Sequence, residues 1–373
     1  MPVSPDRRDR LDRRRLNRAL LTRQSLLERA SLPAVELVER LVGMQAQAPL
    51  APYVALWSRL VDVDTGAVGA AVDQGVLVRT HAMRGTVHLF SRRDALALRP
   101  VMAPMLAVRF GSTAFAKNLD GVAMDDVIRV ARSLAREAPL SRVELGRRLG
   151  EHFPGAPEDS LAYAAIFHEP MVQTPPRGVW GKRGTPKWQT FQGFLAASVD
   201  GGSTVDEIAL RYLAAFGPAS VADIRYWSGL SGLREVVERL RPRLRVFTDE
   251  GGRELFDLPD APRPAADVPA PVRFLPEYDN VLLSHADRTR VIPDKRSVPL
   301  FAGDGARAGT VLVDGEFRAT WKATVGNEQA TITVIAAPAL SRREADEVRA
   351  EGVRLLAFLA PGRHADVVAT APS

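Results

Sequence analysis

The chain has 373 residues, with 50 Lys and Arg against 44 Asp and Glu, six His and no Cys. That length holds two or three domains and buries a core without covalent staples; the missing cysteines exclude a disulfide scaffold, a thiol nucleophile, an iron–sulfur cluster and Cys-ligated zinc. The histidines, at 81, 88, 152, 168, 285 and 364, form no HExxH or other close metal-ligand pattern, and a chain 46% hydrophobic and 25% charged has the make-up of a soluble globular protein.

No run of about 18 apolar residues is present to span a membrane. Residues 1–18 carry seven Arg against three Asp, most of the formal net charge of +6, with no apolar stretch behind them. This argues against a secretory signal, places the protein in the cytoplasm, and reads 1–16 as a basic disordered tail. Such charge suits a polyanion through counterion release; a solvated tail is the plainer alternative.

Leu20, Leu21 and Leu27, then Val35, Val38, Leu41 and Val42, recur at helical spacing over 17–42, with Pro33 suited to a first turn and Gly43 to an end. Pro49 pushes Ala48 into an extended conformation, so the helix does not continue through 45–49. Further helices are expected over 52–60 and 65–74, then β runs at 76–80 and 86–90. The order recurs. Helices at 125–136, 141–152 and 157–167 precede β runs at 171–174 and 187–191, separated by the basic, glycine-punctuated loop PPRGVWGKRGTP (175–186). In the third copy, helices at 204–216, 221–228 and 233–240 lead to a hairpin at 244–248 and 254–258. A short helix, a glycine turn, a second helix and a hairpin read as a winged helix-turn-helix.

Residues 261–271 are Pro/Ala-rich and read as a linker. Beyond them 301–337 alternates β-branched and polar residues, which suggests a small antiparallel sheet or partial barrel, and the last helix, 341–358, opens with a capping box. The expected fold class is α+β: three tandem winged helix-turn-helix units (17–115, 116–198 and 199–260), then a C-terminal β-rich region with a terminal helix (272–373).

Four segments carry a resemblance: GMQAQAP (43–49), MRGTVHL (83–89), LPEYDNVLLSHADR (275–288) and ATWK (319–322). Together they look like the bacterial winged-helix DNA glycosylases of the AlkZ type, over about 17–358 and in the family's order. The resemblance implies tandem winged helices around a duplex-sized concavity, excision of N7-alkylated purines and unhooking of interstrand crosslinks, and a catalytic Gln-x-Gln or Gln-x-Asp motif that falls here on Gln45 and Gln47.

The chemistry is coherent. Glycoside hydrolysis ordinarily needs a carboxylic acid on the leaving group and a carboxylate on water. An N7-alkylguanine is already cationic and leaves as a neutral base, so the remaining task is to hold a water and favour an oxocarbenium-like transition state. A glutamine carbonyl accepts from that water while its NH₂ anchors to a sugar or phosphate oxygen. Residues two apart in an extended segment project to one side, so both amides would face one cleft. The alternative is a polar connection whose amides bond the backbone.

Arg84 and His88 on the first hairpin are DNA-binding candidates; a strand histidine bonded to a neighbouring carbonyl is the competing account of His88. Arg177, Lys182, Arg183 and Lys187, interleaved with Trp180 and Trp188, form a candidate wing for phosphates or a base step, or else a solvated basic loop. Glu277, Asp279, Asp287 and Arg288 read as a buried ion-pair and turn network, and Trp57 and Trp227 as core. No Walker or Rossmann glycine loop is present, so nucleotide cofactors are not indicated; with the histidine pattern above, neither a cofactor nor a metal is expected. No lysine neighbours the glutamines, so no Schiff-base lyase step is expected. The expected protein is a monomeric, monofunctional glycosylase acting on double-stranded DNA with alkylated purines. A non-catalytic winged-helix regulator or scaffold, or a protein-interaction module, are the other classes.

Overall fold

The computed structural model describes residues 10–198, 202–294, 298 and 308–370. Helix α1 (Arg13–Arg23) starts on Asp12, whose carboxylate accepts from the Arg15 amide at 2.7 Å. Helix α2 (Ala34–Arg40) ends in two left-handed residues, Val42 and Gly43, which turn the chain into the short strand β1 (Met44–Gln45). Helices α3 (Ala51–Arg59) and α4 (Thr65–Asp73) lead to β2 (Leu77–His81) and β3 (Val87–Ser91).

A long α5 (Arg92–Gly111) and a short α6 (Ala114–Lys117) connect to α7 (Met124–Glu137), β4 (Leu140–Ser141), α8 (Arg142–Gly150), α9 (Glu158–His168), β5 (Met171–Gln173), β6 (Lys187–Thr190) and α10 (Phe191–Leu195). The third group is α11 (Val205–Phe216), α12 (Val221–Ser228) and α13 (Leu233–Leu240) with the hairpin β7 (Arg245–Thr248) and β8 (Glu254–Asp257). Last come β9 (Arg273–Leu275), α14 (Asn280–Leu283), β10 (Gly309–Val313), β11 (Glu316–Val325), β12 (Gln329–Ala336), α15 (Arg342–Leu359) and β13 (His364–Thr370). The architecture is mixed α and β. Side-chain capping boxes open α8, α11, α12 and α15, the last on Ser341 and Glu344 as its sequence suggested.

The first two hairpins are not separate. Thr80 pairs with Val172, and its hydroxyl donates to the Met171 carbonyl at 2.8 Å, so they merge into one six-stranded sheet in the order β1-β3-β2-β5-β6-β4. The third hairpin forms a separate two-stranded sheet, bridged at Thr248 by Arg10 and at Phe256 by Ala219. One core cluster runs through the first two groups, from Leu56 and Val87 to Leu161 and Trp188. A second joins Phe90 and Val172 to Tyr212 and Trp227 of the third group and to Leu282. Apolar burial thus holds the joined sheet against the third group.

Two expectations are corrected. The tail expected over 1–16 is part of the fold from Arg10 onward: Leu11 is buried, its amide donates to the Thr248 carbonyl at 2.8 Å, and Arg13 and Arg14 each pair at 2.6 Å, with Glu316 and Asp314. Residues 1–9 of that reading lie outside the described residues. The Pro/Ala stretch is strapped to α1, where the Arg14 and Arg18 guanidinium groups donate to the carbonyls of Ala266 (2.7 Å) and Val268 (2.5 Å). In the stretch 301–337, β10, β11 and β12 pair antiparallel as expected; β13, outside that stretch, joins β12 in parallel and completes the order β13-β12-β11-β10-β9. Residues 301–307 of the expected β region are outside the described residues.

Candidate active site

The glutamine segment is held from three sides. At its start Gly43 has φ 86°, and a Cβ there would lie 2.3 Å from the Phe90 ring, so the helix-to-strand turn needs glycine for conformation and for space. β1 then pairs with β3, placing Met44 opposite Leu89 and Gln45 opposite His88. The Ala46 amide extends the ladder to the Val87 carbonyl at 2.8 Å. Met44 and Ala46 point into the core, so Gln45 lies on the His88 face of the sheet, whereas Gln47, beyond the strand, lines a cavity with Arg79, His81 and Val87, which the register puts on the opposite face rather than the shared one their spacing suggested.

The two amides differ in surroundings. Gln45 is 8% exposed, and its Oε1 accepts from Arg84 Nη2 at 2.7 Å. Because a guanidinium only donates, this bond fixes which end of the amide faces it and leaves the Gln45 NH₂ as the free end. Gln47 is exposed and lines a cavity of about 720 Å³ with Arg79, His81, Tyr163, Gln173 and Trp188.

Arg84 sits in a turn with φ 58°, followed by Gly85 at 72°. Its second nitrogen, Nη1, donates to the Trp227 carbonyl on α12 at 2.8 Å, so the residue ties the glutamine to the third group. His88 is fully buried, with Nδ1 3.0 Å from the Thr86 carbonyl and Nε2 3.5 Å from Arg84 Nη2. A carbonyl accepts only, so Nδ1 carries the proton and Nε2 presents its lone pair to the guanidinium. Burial, with the Arg84 charge, pushes the imidazole down to about 3, so it is neutral at physiological pH. Burial likewise lowers Arg84, to about 10, which leaves it cationic. These two residues therefore support Gln45 rather than face a duplex: His88 has no exposed surface, and both terminal nitrogens of Arg84 are occupied.

The PEYDNVLLSHADR segment, read from sequence as a buried ion-pair and turn network, forms such contacts at Asp279, Asp287 and Arg288, while Glu277 lines a cavity beside Ala48 and Arg177. Asp279 forms a bidentate pair with buried Arg59 (2.7 and 2.9 Å) and caps α14. The next residue, Asn280, donates from Nδ2 to the Gly43 carbonyl at 2.8 Å. Asp287 pairs with Arg253 at 2.8 Å, and Arg288 bonds the Tyr226 hydroxyl. Trp321 of the ATWK segment donates from Nε1 to the Leu275 carbonyl at 2.8 Å. It also lines a second cavity, of about 490 Å³, with Ala48, Pro49, Leu50 and Arg177. The four segments singled out from sequence thus converge on one loop.

The basic loop 175–186 is anchored to α3 by the Tyr53 hydroxyl, which donates to the Gly178 carbonyl and accepts from the Trp180 amide, both at 3.0 Å. Arg177 is half-buried between the two cavities, and Arg183 is exposed. Lys182 is exposed but paired with Asp73 at 2.8 Å. Lys187 is half-buried on β6 opposite Ser141. The tryptophans turn inward: Trp180 packs on Tyr53 and Phe358, and Trp188 is buried under His81. Trp227 is core as expected, whereas Trp57 is half-buried beneath the Arg29 guanidinium. Sequence reasoning missed Arg79, Asn280 and Gln173. Arg79 had a signal, a lone charge inside the apolar β run 76–80; the other two are placed by contacts distant in the chain.

Among the described residues, no group of three or more His, Asp or Glu is arranged to hold a metal, and no helix is long and apolar enough to cross a membrane.

A family model described as "DNA glycosylase AlkZ-like" matches residues 38–358. The curated "Interstrand DNA cross-link repair glycosylase" of Streptomyces sahachiroi is 25% identical over 364 residues, which cover 90% of this chain and 95% of that protein. The solved structure of Streptomyces sahachiroi DNA glycosylase AlkZ superposes with a TM-score of 0.72 at 21% identity, covering 97% of this chain and 100% of that one; the likeness there is one of fold.

Proposed function

This chain belongs to the AlkZ-like DNA glycosylase family, and from that premise we propose that it hydrolyses the N-glycosidic bond of cationic N7-alkylpurines in double-stranded DNA, acting as a monomer, with water positioned by Gln45 and Gln47. Interstrand crosslinks through purine N7 have the same leaving-group chemistry and fall within this reading. The helix-and-hairpin groups are read as three winged helices (17–115, 116–198 and 199–260) that grip the duplex through phosphates, followed by the C-terminal region (272–373). Arg177, Arg183, Lys182 and Lys187 are the phosphate-facing candidates; Lys182 would have to exchange its partner Asp73.

The observation that carries the reading is the fixed orientation of Gln45. Its carbonyl is held by Arg84, and Arg84 is held by the Trp227 carbonyl and backed by a neutral imidazole. A buried amide polarised in this way is a preorganised donor, suited to a sugar or phosphate oxygen or to the attacking water. Gln47, exposed and two residues on, supplies the carbonyl that accepts from the water. The roles divide: Gln45 donates, Gln47 accepts. Neither amide is a strong base or acid, which suffices where the lesion already carries the charge its departure discharges.

Incubation of the protein with dimethyl sulfate-methylated duplex DNA, with chromatographic detection of free 7-methylguanine, tests the reading. Release by the wild type and slower release by Gln45→Ala are expected. No release, together with selection of one preferred duplex sequence from a random pool, would instead establish a non-catalytic regulator.

A further inference from the structure

Among the described residues, the cavity beside Gln47 holds two cations with no counter-ion. Arg79 on β2 is 2% exposed, yet its hydrogen bonds go to neutral groups: Nε and Nη2 to Gln173 Oε1 at 3.1 and 2.8 Å, and Nη2 to the Ala46 carbonyl at 2.8 Å. Its Nη1 has no partner, and neither does Nε of Arg177, which reaches the same cavity from the basic loop. Burial and the like charge of Arg177 lower Arg79 only to about 10, so it stays cationic at neutral pH. No Asp or Glu lines this cavity among the described residues, and its third arginine, Arg142, is already paired with Asp159 at 2.6 Å. Burying like charges without a carboxylate is unfavourable unless a ligand supplies the anion.

The walls argue against a base clamp. His81 stacks on Trp188 at 4.9 Å, and Tyr163 stacks on Phe115 at 4.1 Å with the Arg142 guanidinium 5.0 Å from the same ring. These rings are engaged with one another rather than left open for a base to stack on. The loop backbone is shaped to the guanidinium: Gly178 has φ 88°, and a Cβ there would lie 2.6 Å from Arg79 Cδ. A cationic N7-alkylpurine is repelled by such a site, and a phosphodiester is attracted to it.

Building on the glycosylase reading, we propose that this cavity receives the sugar–phosphate backbone, with the phosphodiester next to the cleaved nucleotide seated against Arg79 and Arg177 and the charged base kept outside. Gln47 on the rim then lies beside the sugar whose phosphate is held. The site sets the register of the lesion by its neighbouring phosphate, independent of the alkyl group's size.

The test is binding of the full-length protein, by fluorescence anisotropy, to a duplex with one tetrahydrofuran abasic-site analogue. The duplex carries either native phosphodiesters or one neutral methylphosphonate, 5′ or 3′ to the analogue. One methylphosphonate position is expected to weaken wild-type binding about tenfold. Arg177→Gln weakens binding to the native duplex by a similar factor, and the methylphosphonate then costs that variant nothing further. Arg79→Gln behaves likewise, with thermal melting confirming that it folds. Losses that multiply, so that methylphosphonate weakens both variants as much as the wild type, overturn the site, as does the absence of binding to the native duplex. Release of 7-methylguanine, scored separately, reports on the glycosylase reading whichever way the binding falls.

Discussion

Two buried arginines near the glutamine loop have opposite surroundings. Arg59, on α3 and 1% exposed, meets Asp279 in a bidentate pair at the seam between that helix and the C-terminal region. Arg79, on β2 and 2% exposed, has only neutral oxygens and sits at a cavity wall. A buried charge with its counter-ion is complete and serves architecture; one without it is a standing cost that a bound anion relieves. The difference separates the seam that fixes the loop from the surface that receives substrate.

The comparison is broken or sharpened by three substitutions, taken from the largest effect, and by acidification. Asp279→Ala strands Arg59 and uncaps α14, and is expected to lower stability by about 3–5 kcal/mol in urea unfolding. Gly178→Ala forces a side chain into left-handed backbone and against Arg79; a loss of about 1–3 kcal/mol is expected, with weaker binding to abasic-analogue duplex.

Acidification comes next. His81, His88 and His285 are each pushed to about 3, chiefly by burial, from a usual value near 6.5. A depressed folded value means their contribution is complete above the unfolded value and is lost as pH falls through about 6.5 toward 3. Each contributes up to about 1.4 kcal/mol per pH unit. The melting temperature should therefore hold level above pH 7 and decline below 6.5, measured by circular dichroism; a level melting temperature down to pH 4 would contradict the buried neutral imidazoles. The smallest effect is Arg79→Met, expected to change stability by less than about 1 kcal/mol in either direction, because relief of a buried charge without a counter-ion offsets the lost hydrogen bonds to Gln173 and Ala46. A loss as large as that of Asp279→Ala would erase the distinction.

Most helices and hairpins were legible because periodicity and caps agreed. The third group matches its expected elements to within a residue or two, helped by Ser220, Gly229 and Gly232, which cap its helices. Helix α5 escaped notice because Pro100 and Pro104 lie inside it and suppress the usual signal. β1 and β4 have two residues each, too few for alternation, and the joining of two hairpins through Thr80 and Val172 links positions 92 residues apart. The tail was misread because Arg-rich composition resembles disorder, whereas Arg13, Arg14 and Arg18 find acidic partners near residue 314 of a distant turn.

At the candidate site the glutamine pair was legible from the sequence. Their unequal burial was not. It follows from Arg84, 39 residues away, reaching back to one amide and not the other. Asn280, 237 residues from Gly43, is likewise recognisable only once the chain is folded.

The central claim is that an exposed neutral amide, placed by a rigid neighbouring one, positions the water that cuts out a pre-charged base. Single-turnover release of 7-methylguanine by Gln47→Ala, beside its affinity for abasic-analogue duplex, measures this directly. The account predicts release about 100-fold slower with affinity within about twofold of wild type; release at the wild-type rate would contradict it.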